Sequence, residues 1–182
     1  MLEFIFLEGC IMLNKSLFSS EKETWETPID LFNLLDSVFN FRIDTCALEN
    51  SAKCPYYITP NFDGLKYNWC YTTYWCNPPY GRSQIDWITK ACNDSIKYNS
   101  TVVCLIPART DTKLWQEIIF PNARAICFIK GRLKFGDSKN SAPFPSGIIV
   151  FSNNNLNIDQ INVLHSLGYT IVNNNKIKIL QY

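Results

Sequence analysis

At 182 residues, with 47% hydrophobic and 18% charged side chains and a formal net charge of +1, the chain suits one domain with a substantial core and is too short for two of ordinary size. No run reaches the roughly 18–20 apolar residues of a membrane helix, so a soluble, cytoplasmic protein is expected. The near-neutral total does not by itself indicate a polyanionic partner, although the distribution is uneven. Residues 21–49 hold seven acids and two bases, whereas residues 109–139 hold seven bases and three acids. The second segment reads either as a solvated face or as a phosphate-contacting stripe.

The eight cysteines sit mostly in apolar runs, such as Cys104 in "TVVCLIPA" and Cys127 in "ARAICFIK". Free buried thiols in a reducing compartment are therefore expected. With no C-x-x-C and a single histidine, His165, the usual zinc-ligand spacing is missing, and no metal is expected.

In chain order, residues 1–20 read as a variable leader. It is apolar at first but carries Glu3 and Glu8 and no basic flank before Lys15, which argues against a signal peptide. "TPIDLFNLLDSVF" predicts an amphipathic helix with Thr27 or Asp30 as cap and Pro28 in the first turn. "FNFRIDTCA" predicts a strand ending at Asp44. Residues 48–70 are irregular, with a turn at Asp63-Gly64. "CYTTYWC" predicts a strand. "SQIDWITKACNDSIKYN" predicts a helix with Ile85, Ile88, Ala91, Cys92 and Ile96 on one face. A strand ("STVVCLIPA"), a helix ("DTKLWQEIIF") and two further strands ("ARAICFIKG" and "PSGIIVFS") follow.

This order predicts an α/β fold with a mostly parallel sheet whose last two strands, joined by a loop, pair antiparallel. Residues 21–152 would form the main domain. Residues 153–182, Asn-rich with one helix and a closing hairpin, would be an extension packed on it. Ligands of such sheets collect at the carboxyl ends of the strands. The tips at Asp44, at Asn77-Pro78-Pro79-Tyr80 and at Pro107-Ala108-Arg109 are thus expected to surround one crevice.

"YWCNPPYGR", residues 74–82, carries the clearest chemistry. Two prolines fix φ near about −65° and remove two donors, so the chain leaves its strand in one rigid geometry. An exocyclic amine of a nucleobase is a poor nucleophile because its lone pair is delocalised. Acceptors on Asn77 and the Pro78 carbonyl can draw on its two hydrogens and favour a pyramidal nitrogen. Tyr80 would offer a face for a base extruded from the duplex. A strand-to-helix turn with a solvent-facing tyrosine is the plainer reading of the same residues.

The series "WETPIDLF", "IDTCA", "DGL" with Trp69, "WCNPPYGR", "LIPARTDT", "GRLKFG" and "APFPSGIIVF" resembles the phage-type, Dam-like DNA N6-adenine methyltransferases over about residues 25–151. Asn-Pro-Pro-Tyr is shared with other amino-methyltransferases, whereas the whole series is specific. The resemblance implies a Rossmann-like methyltransferase fold, S-adenosylmethionine as methyl donor and double-stranded DNA as substrate. It also implies a host-cell cytoplasmic location if the chain is phage- or prophage-encoded.

Residue by residue, the resemblance implies that Asn77, Pro78, Pro79 and Tyr80 form the catalytic loop. Trp25, Thr27 and Pro28 match the segment at the methionine end of the cofactor, Asp44 and Ala47 match the first strand tip, and Asp63 is a further cofactor candidate. Arg82, Arg109, Lys130, Arg132, Lys134 and Lys139 are the candidate DNA contacts, with Arg109 equally readable as an internal ion pair with Asp111. "DTCALEN" stands where the wider class has a Gly-x-Gly loop, and no second strand offers an acid for the ribose. Methylation of cytosine N4 or of a protein glutamine amide, and a DNA-binding module without catalysis, remain the alternatives.

Overall fold

The computed structural model describes residues 25–136 and 138–174. The expected leader and the second half of the expected C-terminal hairpin lie outside them, as does Cys10. The first helix, α1 (Ile29–Phe39), buries Leu31, Phe32, Leu35 and Phe39 along one stripe. Asn40 then turns left-handed at φ 53°, and its N–H reaches the Asp36 carbonyl. Neither expected cap is used. Pro28 occupies the cap position without a side-chain bond, because Thr27 lies one residue too early and is engaged elsewhere, while Asp30 is already inside the helix.

Strands β1 (Ile43–Asp44), β2 (Tyr56–Tyr57), β3 (Thr73–Cys76) and β4 (Thr101–Pro107) are mutually parallel. Between β3 and β4 runs α2 (Gln84–Lys97), the right length for a parallel crossover. After β4 the chain forms a π-helical segment, Leu114–Ile119, and a short turn α3 (Phe120–Asn122). The widened spiral has a local cause. Pro121 cannot donate, and its ring would crowd the carbonyl four residues back in a regular helix. Phe120 N–H accordingly bonds to the Trp115 carbonyl, five residues back.

β5 (Ala125–Ile129) and β6 (Ser146–Ser152) pair antiparallel, as the loop between them demanded. β6 also inserts antiparallel against β4. The sheet order among the described residues is β2-β1-β3-β4-β6-β5-β7. The sheet is thus mixed, parallel in its first half and antiparallel in its second. β2 lies in the segment expected to be irregular. β7 (Gly168–Val172) follows α4 (Ile158–Leu167) without a loop and pairs with β5. A Cβ at Gly168 would collide with the Phe128 carbonyl, so only glycine lets the chain turn this close to β5.

Period-2 alternation divides the core between two faces. Val102, Cys104 and Ile106 of β4 pack with α2 and the π-helical segment, while Val103 and Leu105 pack with α1 and α4. Ile88, Ala91 and Cys92 meet the first face as expected. Ile85 does not, being 40% exposed. It lies in the first turn of α2, at the carboxyl edge of the sheet, where the core has ended. Cys46, Cys54, Cys70, Cys76, Cys92, Cys104 and Cys127 are free thiols. Among the described residues no helix is long and apolar enough to cross a membrane.

Candidate active site

At the carboxyl ends of β1 and β3 the chain opens a cleft of about 840 Å³, within the range of small-molecule sites. Eight of the residues singled out from sequence line it: Trp25, Thr27, Asp44, Ala47, Asp63, Asn77, Pro78 and Pro79. Pro28 does not. The tip of β4 is also absent from the wall. Ala108 N–H bonds to the Pro145 carbonyl, which ties that tip to the start of β6 and away from the cleft. Arg109 is exposed and, among the described residues, pairs with neither Asp111 nor any other acid.

Asn77 is the first residue beyond β3. Its Nδ2 donates to the Trp25 carbonyl and to Thr27 Oγ1 at 3.1 Å. Because a carbonyl can only accept, the atom facing Trp25 must be the NH₂, which fixes the amide's orientation. Asn77 Oδ1 is buried and has no hydrogen-bond partner among the described residues. The Pro78 carbonyl likewise receives no hydrogen bond among the described residues. Two neighbouring acceptors are thus held by a proline-stiffened loop with nothing to accept from.

Asp44, at the tip of β1, accepts from Cys46 N–H at 3.2 Å and Lys53 N–H at 3.3 Å. Burial outweighs these two donors and pushes its carboxyl up from 3.8 to about 6. Across the cleft, Lys53 and Glu26 form an ion pair at 2.7 Å, and both line the wall. Asp63 adopts a left-handed φ of 52°. Its carboxylate accepts from Leu65 N–H and pairs with Lys66 at 3.3 Å. Gly64 follows because a Cβ there would stand 2.7 Å from the Thr45 carbonyl and 2.8 Å from the Trp87 ring.

Tyr80 differs from expectation. Instead of presenting a free face it is enclosed by Trp25, nearly parallel at a centroid distance of 6.4 Å, and by Phe135 and Phe144 edge-on. Its hydroxyl donates to the Leu105 carbonyl at 3.3 Å, and burial holds the phenol well above its usual range. Phe135 and Phe144 belong to the segment between β5 and β6 that carries the expected basic stripe. Within that segment Gly136 N–H bonds to the Glu26 carbonyl, while Phe135, Gly136 and Ser138 line the cleft. Lys130, Arg132, Lys134 and Lys139 are exposed around it, as is Arg82 after the Asn-Pro-Pro-Tyr loop.

Sequence reasoning missed Glu26, Lys53, Thr45, Trp87 and Phe135. Glu26, Thr45 and Phe135 carried a signal, since each adjoins a residue already singled out; Lys53 and Trp87 carried none. Among the described residues, no group of three His, Cys, Asp or Glu side chains is placed to hold a metal ion.

A cleft at parallel strand tips, walled by an Asn-Pro-Pro loop with unpaired acceptors, suits an enzyme that transfers a group to an amine. Comparison with known proteins makes the class specific. Residues 14–173 match the model of the family described as DNA N-6-adenine-methyltransferase (Dam). A DNA N-6-adenine-methyltransferase of Haemophilus phage HP1 (strain HP1c1) is 30% identical over 149 residues, covering 78% of this chain and 85% of that protein. The chain belongs to the DNA N-6-adenine-methyltransferase (Dam) family, a family of transferases.

Proposed function

We propose that the protein transfers a methyl group from S-adenosylmethionine to the N6 amine of adenine in double-stranded DNA, on a Rossmann-like methyltransferase fold. The observation that carries this reading is the orientation of Asn77. Both amide hydrogens are engaged by Trp25 and Thr27, and the buried Oδ1 is left without a donor. A buried acceptor without a protein donor costs free energy that a ligand N–H would recover. The adenine amine brings two such hydrogens, one for Asn77 Oδ1 and one for the Pro78 carbonyl.

The cleft suits the donor molecule. Asp44, Ala47, Lys53 and Asp63 would hold it, with Trp25 and Trp87 as apolar walls. When bound, S-adenosylmethionine supplies a methyl group on a positively charged sulfur, so neither a metal nor a covalent nucleophile on the protein is required. Asn77 and Pro78 draw on the amine hydrogens, which localises the nitrogen lone pair and aims it at the carbon. Their rigidity removes the cost of reorganising at the moment of reaction.

Tyr80 would meet the extruded base only after the covering Trp25 ring shifts, so stacking on it and opening of the aromatic enclosure are one event. Arg132 and Lys134 precede Phe135, which lines the cleft, so phosphate contacts there would set the duplex beside the site. Arg82, Lys130 and Lys139 extend that surface. Arg109, exposed but away from the cleft wall, would serve only as an outlying phosphate contact.

Asn77→Ala tests the reading. Turnover should fall by about two to three orders of magnitude, the scale for losing one preorganised hydrogen-bonding group, with little change in S-adenosylmethionine affinity. Near-normal turnover would refute the acceptor mechanism.

A further inference from the structure

Thr27 lines the cleft at 4% exposure, yet its hydroxyl oxygen faces Asn77 Nδ2 at 3.1 Å. Its side chain caps no helix, although α1 begins two residues later. An asparagine amide is nearly symmetric in shape, so packing alone cannot choose between its two flips, which differ in whether oxygen or NH₂ is available to a ligand. At Asn77 the choice is made by the Trp25 carbonyl, which can only accept, while Thr27 Oγ1 lies within reach of the same nitrogen. The Trp25 bond engages one hydrogen. The other has Thr27 as its acceptor.

We infer that Thr27 is a positioning residue, whose hydroxyl accepts the second amide hydrogen of Asn77 and, together with the Trp25 carbonyl that sets the flip, holds Oδ1 toward the target amine. The inference rests on the proposed function and deepens it, moving Thr27 from a direct cofactor contact to a group that acts through Asn77. In the opposite flip the NH₂ would confront the amine's own hydrogens, and the loop would repel its substrate. With the threonine hydroxyl gone, one buried N–H of Asn77 loses its acceptor and the amide is held by the Trp25 carbonyl alone. Trp25 contributes its main-chain carbonyl, which no side-chain substitution removes, so Thr27 is the part of the lock that mutation can reach.

The experiment is a double-mutant cycle on the full chain, read as single-turnover rate, S-adenosylmethionine affinity and thermal midpoint. Thr27→Val, close in shape, should lower the rate about tenfold or more, the scale of leaving one buried N–H unpaired. Cofactor affinity should stay within about twofold, the precision that additivity arguments allow. Thr27→Ser, which keeps the hydroxyl, should recover most of the rate. In an Asn77→Ala background Thr27→Val should cost nothing further, because the group it orients is gone. The inference is overturned if Thr27→Val leaves the rate unchanged, if Val and Ser lose alike, if affinity falls in step with rate, or if the two rate reductions multiply. The first result beside an inactive Asn77→Ala would leave the proposed function standing. An active Asn77→Ala would remove both.

Discussion

On the proposed function, Asp44 should link cofactor binding to pH. Its carboxyl is 4% exposed and titrates at about 6 because burial prevails over the Cys46 and Lys53 amides. The positively charged sulfur and amino group of S-adenosylmethionine favour the ionised form, so binding in this cleft should draw the carboxyl back toward 3.8. With a free-protein value near 6, the ionised fraction is about 0.9 at pH 7, half at pH 6 and about 0.1 at pH 5. Affinity should therefore fall roughly tenfold between pH 7 and pH 5, with close to one proton released per cofactor bound at the lower pH. Calorimetry in two buffers of different ionisation enthalpy counts that proton. Asp44→Asn should bind more weakly at pH 7 and lose the dependence. An affinity that is flat from pH 5 to 7, or a slope that survives in Asp44→Asn, would refute the reasoning. The stability sign is the reverse of that of a paired carboxylate. A folded value raised above 3.8 means that the contribution of neutral Asp44 is fully present below pH 3.8 and is lost as pH rises through 6. By pH 8 this leaves the unliganded fold about 3 kcal/mol less stable, a deficit that bound cofactor should offset in thermal melts.

Gly64→Ala should destabilise the fold by about 1–3 kcal/mol and weaken cofactor binding, because the new methyl would press on the Thr45 carbonyl and the Trp87 ring; denaturant titration and calorimetry check the two effects. Replacing Arg132 and Lys134 together by Ala should reduce the salt dependence of duplex binding by about 0.9 in log–log slope for each phosphate no longer neutralised, and should do so alike for all sequences. An unchanged slope would make the stripe only a solvated face. Tyr80→Phe should cost little binding of DNA, since the hydroxyl is spent on Leu105, whereas Tyr80→Ala should weaken it by about 1–3 kcal/mol if the ring stacks on a base; fluorescence anisotropy separates the two.

The long apolar runs of β4 and β6 were legible because seven buried or nearly buried residues bounded by turn chemistry leave few alternatives. β1 was legible by its end at Asp44, although it pairs over only two residues; β2 was not, as a two-residue strand has no period, and Tyr56 and Tyr57 are exposed at the sheet edge. β7 falls where the first arm of the closing hairpin was expected, but its pairing with β5 was not foreseen. The π-helical segment depends on a single proline acting one turn back, below the reach of pattern. At the site, the Asn-Pro-Pro wall was readable because its chemistry is local. The enclosure of Tyr80 was not, because it is made by Trp25, Phe135 and Phe144, brought together only by folding. The same holds for the contact of Thr27 with Asn77, fifty positions away. Arg109 was placed at the crevice by the strand-tip rule, which does not foresee that Pro145 would hold the β4 tip aside.

The central claim is tested most directly by the product. The protein is incubated with isotopically labelled S-adenosylmethionine and duplex DNA, the DNA is digested to nucleosides, and the label is located by mass spectrometry. The proposed mechanism predicts label on the N6 of deoxyadenosine, appearing about two to three orders of magnitude more slowly in Asn77→Ala. Label on the N4 of deoxycytidine, or unmodified DNA despite measurable cofactor binding, would contradict it.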